Sequence, residues 1–295
     1  MDICHDAKAV FNNLAPVTLY LGTVDGIAAT TSTNNEPRLY IYLQEKLPGV
    51  ALAGVQGQSL GQRSRLIQDV ARVFAVSYHQ RRSSGDKGAK ERGELVKGRV
   101  GSSLRWRLRL VEGLPGEQLA RHVSTVAEHL DSIEELPWCL THGDLVPGNV
   151  LIDPESGQLT GLVDWAEGEW LPLGVGLYGL EELLGRNVSG QGFEYFDDHE
   201  ELRQLFWDKF LGFCKFNPRS SVELKIMDDI ALARKLGILL WRGIAFDDGS
   251  IDRVVEAGRD DAELSKLSLF LGVADPLTRG PAYAGCGAAK ADGHI

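Results

Sequence analysis

Residues 140–165 read LTHGDLVPGNVLIDPESGQLTGLVDW, and four of the polar side chains in this segment lie at defined spacings around short apolar runs. His142 precedes Asp144 by two positions, and Asn149 lies five positions after Asp144. Asp164 then ends the apolar run that follows. This pattern favours a site that joins the polar groups; the alternative is a loop that holds them by chance.

The local sequence around these residues predicts three short strands. The second and third are connected by the turn-forming residues 153–157, DPESG. A hairpin of this kind brings Asn149, just before one strand, next to Asp164, just after the other. The predicted strands cover residues 138–141, 150–152 and 159–163.

The residue types at these positions fit phosphoryl transfer. A carboxylate in the place of Asp144 can accept a proton from an attacking hydroxyl. The amide oxygen of Asn149 and the carboxylate of Asp164 are ligands that Mg²⁺ prefers, and phosphates and water complete its octahedron. The H-x-D-x-x-x-x-N spacing followed by a second aspartate is typical of such a catalytic loop.

The segments HGDLVPGNVLID and GLVDWAE (residues 142–153 and 161–167) resemble the aminoglycoside phosphotransferase and choline kinase superfamily, and the resemblance covers roughly residues 37–275. It implies an α+β, protein-kinase-like fold with a reduced β-containing N-lobe and a large, mainly helical C-lobe. It also implies ATP (or GTP) as cosubstrate, Mg²⁺, and a small-molecule hydroxyl acceptor that the motif does not name. In such a loop His142 is expected to orient the Asp144 backbone by hydrogen bonding.

The same resemblance points to a nucleotide hinge at residues 44–49, QEKLPG. Glu45 and Leu47 would there offer backbone groups to the adenine edge. An ordinary junction between a strand and a turn is the alternative interpretation.

The segment before the hinge departs from the family pattern. Its only lysine, Lys8, falls on a predicted short helix at residues 5–15, whereas the family carries a phosphate-binding lysine on a strand. The first three strands of the small lobe are therefore predicted to be absent. Two alternatives to an active enzyme stay open: a pseudokinase or binding module, and a truncated gene product without independent activity.

The resemblance also implies how the chain is divided: residues 1–60 would form the truncated N-lobe and hinge, and 61–277 the helical C-lobe. Composition predicts a Gly/Ala-rich disordered tail at 278–295. Residues 81–99 are expected to be a charged surface loop, and residues 101–111 fit either a helix or irregular structure. Predicted helices cover residues 62–82, 115–136, 199–216, 221–244 and 260–273.

Gly174, Gly176 and Gly179 form a literal G-x-G-x-x-G. A dinucleotide site would need a strand directly before the glycines and a βαβ unit around them. A proline interrupts the preceding residues 170–173, so we expect the glycines to serve a tight turn into the next helix.

Trp165, Glu167, Glu169 and Trp170 follow the second aspartate. Indole faces and carboxylates both attract cations, which favours a cationic or amphipathic acceptor. The alternative is that the tryptophans belong to the core and the glutamates are solvated.

Composition limits the partners. The net charge of −10 argues against a nucleic-acid partner. Four scattered cysteines without a C-x-x-C pair indicate a reducing compartment, and the sequence shows neither a signal-peptide core nor a membrane-length apolar run. We expect a cytoplasmic protein.

Overall fold

The computed structural model describes residues 3–25, 38–82, 100–217, 220–247 and 250–273. Helices in these ranges are α1 (Ile3–Phe11), α2 (Leu60–His79), α3 (Leu104–Val111), α4 (Glu117–Glu128), α5 (Leu130–Glu135), α6 (Tyr178–Leu183), α7 (His199–Cys214), α8 (Ser221–Gly243) and α9 (Asp261–Leu271). Strands are β1 (Thr18–Asp25), β2 (Arg38–Gln44), β3 (Val50–Ala51), β4 (Trp138–Thr141), β5 (Val150–Ile152), β6 (Leu159–Leu162), β7 (Glu169–Pro172), β8 (Gly185–Val188), β9 (Gly192–Tyr195), β10 (Ile244–Asp247) and β11 (Ser250–Val254). Most of the loop predicted at 81–99 and the tail predicted at 278–295 lie outside the described residues.

The predicted hairpin is confirmed as β5 and β6, which pair antiparallel. Strand β3, directly after the predicted hinge, adds to the free edge of β5, so the sheet order is β3-β5-β6. Strand β4 instead pairs with β7. One three-stranded sheet therefore connects the hinge segment to the strands that carry Asn149 and Asp164 at their ends.

The helices behind this sheet form the main core. Helix α2 packs along α7, and α8 packs against the 3-10 turn before α6 and against α3, α4 and α9. The carboxylate of Glu181, on α6, is fully buried and is paired with Arg203 on α7 and Arg234 on α8. A buried carboxylate needs such partners, since an unpaired one would lose its hydration without compensation. This buried ion-pair cluster thus holds α6, α7 and α8 together.

Helix α1 belongs to this body and not to a separate lobe of strands. It packs against α2, and the Phe11 ring stacks on Trp165 with ring centroids 5.1 Å apart. Strands β1 and β2 follow α1 as a separate two-stranded sheet. The expected order of one helix and then strands before the hinge is confirmed within the described residues.

Two helix predictions need correction. The helix expected over 115–136 is two helices, α4 and α5, which meet at His129. At this point the His129 N–H bonds to Val126 three residues back, and the His129 ring bonds to the Thr125 carbonyl, so the main chain leaves α-helical geometry. Helix α2 starts earlier than expected because Ser59 and Gln62 form a capping box.

Residues 101–111, left open between helix and irregular structure, form a short 3-10 turn and then α3. No helix in the described part of the chain is both long and apolar enough to cross a bilayer.

Candidate active site

His142 fixes the start of the loop between β4 and β5. Its ring is buried; Nε2 lies 2.8 Å from the Val163 carbonyl, and Nδ1 accepts the Asp144 N–H at 3.3 Å. These contacts require a proton on Nε2 and none on Nδ1, so the ring is neutral. Burial lowers the pKa of His142 in agreement with this assignment. The imidazole therefore joins Asp144 to the end of the β5–β6 hairpin, which is the orienting geometry that the resemblance implies.

Asn149 holds the Asp144 side chain in position. Its Nδ2 donates to the Asp144 carbonyl and to the Asp144 Oδ2, both at 2.9 Å. Because the amide nitrogen faces Asp144, the amide oxygen faces the other way. One Asp144 carboxylate oxygen is thus used in positioning, and the second is left for a ligand.

Asp164 lies beside Asn149 at the open end of the hairpin, because the Val163 N–H donates to the Asn149 carbonyl at 3.0 Å. Its side chain is exposed, and its backbone has a φ of 63°, a left-handed conformation that is uncommon outside glycine. The Asn149 amide oxygen and the Asp164 carboxylate form an oxygen-only donor pair with room for further ligands. This set fits Mg²⁺, which takes few protein ligands and keeps waters and phosphates.

Gly143 is fixed from the helical side. Its carbonyl accepts the Tyr178 hydroxyl at 2.6 Å and the indole N–H of Trp241, and these two rings stack on each other. Its φ is 82°, and a Cβ placed there would lie 2.0 Å from the Glu167 carbonyl oxygen. Only glycine allows this close approach between the β4–β5 loop and the segment after Asp164.

The predicted hinge lies across the same hairpin. The Leu47 side chain is buried over Gly161 of β6, and the Thr160 hydroxyl donates to the Pro48 carbonyl at 2.7 Å. The Glu45 N–H donates to the Val17 carbonyl, whereas the Glu45 carbonyl and the Leu47 N–H have no hydrogen-bond partner among the described residues. These are the backbone groups that a base edge could use.

Lys8 is bonded away from Asn149 and Asp164. It is on α1, as expected, and its ammonium bonds to the Ala15 carbonyl and to the Glu45 carboxylate, each at 3.1 Å. Hydrogen bonds from Val17 and then from Lys8 lower the pKa of Glu45. The lysine thus fastens α1 to the hinge.

A cleft of about 390 Å³ opens beside Asp144. Its wall includes Glu167, Glu169, Trp241 and Arg242. Desolvation, followed by the charges of Asp144 and Asp164, raises the pKa of Glu167. Glu167 has no hydrogen-bond or ion-pair partner among the described residues, whereas Glu169 accepts the Gly101 N–H at 2.9 Å.

The two tryptophans near this cleft are structural. Trp165 is 2% exposed and packs against His142. Trp170 donates to Asp6 at 2.8 Å, and the Arg82 guanidinium lies 3.8 Å from its ring centroid. Of the two interpretations left open for the tryptophans, these contacts favour the one that places them in the packed structure, while both glutamates do line the cleft.

Residues 4–175 match the profile described as "Phosphotransferase enzyme family", and this match spans more than half of the 295-residue chain. The chain belongs to this family. Its fold is the α+β, kinase-like fold expected from the motif.

Several solved structures resemble this chain at low sequence identity. A Plasmodium vivax ethanolamine kinase is 10% identical, with a TM-score of 0.50, and the alignment covers 91% of this chain and 71% of that one. The GDP complex of aminoglycoside 2'-phosphotransferase-IIIa is 14% identical over 85% and 74% of the two chains, with a TM-score of 0.49. An aminoglycoside-3'-phosphotransferase of type VIII is 17% identical over 78% and 75%, with a TM-score of 0.46. No curated protein matches the sequence.

Within this phosphotransferase-family chain, the G-x-G-x-x-G motif has a packing role. Strand β7 directly precedes it, which corrects the expectation that the proline interrupts that segment, but β7 pairs antiparallel with β4 and forms no βαβ unit. A Cβ on Gly176 would lie 2.4 Å from a Thr141 side-chain carbon, and one on Gly179 would lie 2.6 Å from the Leu145 Cβ. The glycines let the start of α6 approach the catalytic loop.

Sequence reasoning missed the contacts that Tyr178, Trp241 and Arg242 make with the site. Tyr178 and Trp241 reach Gly143 across 35 and 98 positions of sequence. Arg242 lines the cleft while paired with Glu182 and Glu263. The helical periodicity of α8 indicated only that its last turn faces the core. Periodicity does not identify the residues that this turn contacts.

Proposed function

We propose that this protein transfers the γ-phosphoryl group of ATP, or of GTP, to the hydroxyl of a small acceptor that carries a positive charge. The observation that carries the proposal is the environment of Asp144. One side of its carboxylate is held by Asn149, and the residue also lines the cleft where an acceptor could bind. This is the arrangement that a general base requires.

Each polar group has one task in the proposed reaction. Asp144 accepts the proton of the acceptor hydroxyl as its oxygen attacks the γ-phosphorus, and the nucleoside diphosphate leaves. His142 keeps the Asp144 backbone in place through its neutral ring. Asn149 and Asp164 would hold Mg²⁺, which supplies charge neutralisation to the phosphates when bound. Glu45 and Leu47 would offer the hinge carbonyl and N–H to the base.

The charge of the cleft supports a cationic acceptor. Its arginines are neutralised, since Arg242 pairs with Glu182 and Glu263, and Arg253 pairs with Asp260. The carboxylates of Asp144 and Glu167 then make the electrostatic potential of the cleft negative. A protonated amine beside Glu167 would offset the desolvation and, after it, the repulsion from Asp144 and Asp164 that together raise the pKa of this carboxyl.

A binding protein without efficient catalysis is the second candidate. The observation in its favour is the N-terminal segment: β1, β2 and β3 carry no lysine, and Lys8 is engaged by Glu45 and Ala15. Removing one such charge-stabilising group from a transition state costs on the order of 3 kcal/mol. The proposed enzyme is therefore expected to bind nucleotide weakly and to turn over slowly.

Asp144→Asn tests the proposal, with Asp153→Asn as the matched control. Asp153 is a half-buried turn residue of the same β5–β6 hairpin. We expect Asp144→Asn to lower kcat about a hundredfold to ten-thousandfold with little change in nucleotide Kd, because the shape is kept and proton acceptance is lost. Turnover is measured with amino alcohols and with amine-free alcohols of the same size. Near-full turnover by Asp144→Asn would remove the residue from the mechanism.

Calorimetry with ATP, with and without Mg²⁺, separates the two candidates. The enzyme should show Mg²⁺-dependent binding that Asp164→Ala abolishes, together with turnover. Binding without turnover for any acceptor in the panel would favour the second candidate. Submicromolar ATP affinity would show that another element replaces the missing lysine.

A further inference from the structure

The hairpin of β1 and β2 presents an unusual amount of apolar surface. Nine of its large apolar side chains are between 43% and 61% exposed. They are Leu19, Tyr20, Leu21, Val24, Leu39, Tyr40, Ile41, Tyr42 and Leu43. Scattered apolar residues are normal on protein surfaces, but a contiguous patch of this size marks an interaction site.

The strand register sorts these side chains onto two faces. Leu19 pairs with Leu43, and Val24 pairs with Leu39, so these residues share one face with Ile41. The opposite face carries the tyrosines, whose rings contact one another: Tyr20, Tyr40 and Tyr42. The hairpin thus has an aliphatic face (Leu19, Val24, Leu39, Ile41, Leu43) and a tyrosine face.

Within the described residues this sheet contains only two strands. A two-stranded hairpin alone is marginally stable in water, and packing of a face is needed to stabilise it. The aliphatic face is the part of the hairpin that gains most from being covered.

The patch is uncharged, which limits what can cover it. Residues 18–24 and 39–44 include no Asp, Glu, Lys or Arg. Apart from Asp25 and Arg38, which pair at the strand ends, a charged partner would therefore find no complementary group on the strands, whereas a second uncharged patch would meet no like charge at close range.

The area suits a small two-fold interface. Five aliphatic side chains at about half exposure present on the order of 500 Å² per copy, so two copies would bury on the order of 1,000 Å². This is the lower limit for a specific protein interface, and contacts at the tyrosine edge would increase it.

We propose that the aliphatic face of the β1–β2 hairpin is a dimerisation surface that binds the same face of a second copy of this chain. The interface is small, so the dimer forms in the micromolar range and dissociates on dilution. Each subunit carries a net charge of −10, so repulsion between the copies weakens the dimer at low ionic strength.

Sedimentation velocity of the full chain, from about 1 to 100 µM, tests this surface. We expect a reversible shift from 32.3 kDa to twice that mass, which added salt promotes. Ile41→Asp places a carboxylate on the aliphatic face and should raise the dimer Kd at least about a hundredfold. Val222→Asp is the control, since Val222 is 68% exposed at the start of α8 and far from the hairpin in sequence.

Cross-linking provides a second test that keeps an uncharged side chain at the patch. Ile41→Cys should form an intersubunit disulfide under mild oxidation, whereas Val222→Cys should not. A monomer at every concentration and salt would overturn the proposal and leave the patch to another segment or partner. Open-ended assemblies instead of a dimer would also overturn it, because they indicate pairing along strand edges.

Discussion

The β5–β6 and β1–β2 hairpins are both antiparallel pairs with an irregular register, yet their surroundings are opposite. The apolar residues of β5 and β6 include Val150, Ile152 and Leu162, which are at most 2% exposed. Their counterparts on β1 and β2 are about half exposed. Strand content is therefore a poor guide to rigidity, which depends on what covers the strands.

Several long-range contacts hold β5–β6. Strand β3 adds to one edge, the Leu159 N–H donates to Asp69 of α2 at 3.2 Å, and Gly157 approaches the Gln62 backbone. The proposed site, which would hold a base and a metal in register, gains from such a rigid support. The β1–β2 hairpin carries none of the proposed catalytic groups, so its solvent-exposed face can bind a partner without disturbing them.

Gly143→Ala should have the largest effect, because it disrupts the close contact between the β4–β5 loop and the segment after Asp164, next to the well-covered β5–β6 hairpin. The new Cβ meets the Glu167 carbonyl oxygen, and the positive φ disfavours any L side chain. We expect at least about 2 kcal/mol less free energy of unfolding, and loss of the proposed activity. Gly148→Ala is the control in the same loop, since nothing lies within 4 Å of its added Cβ. Equal unfolding free energies for the two variants would contradict this account.

An Ile→Ala substitution in each hairpin compares how much the packing of each contributes to the free energy of unfolding. Ile152→Ala removes a fully buried side chain and should cost about 2–5 kcal/mol. Ile41→Ala removes a side chain that is 43% exposed and should cost about 0.5 kcal/mol or less in the monomer. Urea denaturation below the dimer Kd gives both values. Similar costs would mean that β1–β2 is packed more tightly than its exposure indicates.

The pH dependence of stability should show a smaller effect centred on His142. Burial holds its folded pKa below the unfolded value, so the unfolded chain binds more protons between the two. The neutral ring's contribution to the free energy of unfolding is complete above the unfolded pKa of about 6.5 and is lost as pH falls below that value. His142→Gln should flatten the slope of unfolding free energy between about pH 5 and 7. Burial also lowers the pKa of His122, so His122→Gln serves as the comparison variant. An unchanged slope in His142→Gln would show that the ring is not protected in the folded state.

Much of the site was predictable because its information is local. The spacing of His142, Asp144 and Asn149, the turn at 153–157 and the position of Asp164 predicted a hairpin with a polar end, and the structure has that hairpin. Periodicity likewise predicted α7 and α8 to within two residues, but it missed the break at His129, where side-chain hydrogen bonds compete with the helix.

The sequence by itself determined the family and, through that resemblance, the kinase-like fold. It also determined the hairpin that orders the polar residues, because hydrogen-bonding turns and strand alternation act over a few positions. Only the tertiary structure decided that Tyr178 and Trp241 hold Gly143, that Trp165 and Trp170 are structural, and that β1–β2 stays uncovered within the described residues. These outcomes depend on contacts between distant segments. A local pattern indicates which face of an element is apolar, but which segment packs against that face, and whether any does, depends on the tertiary structure.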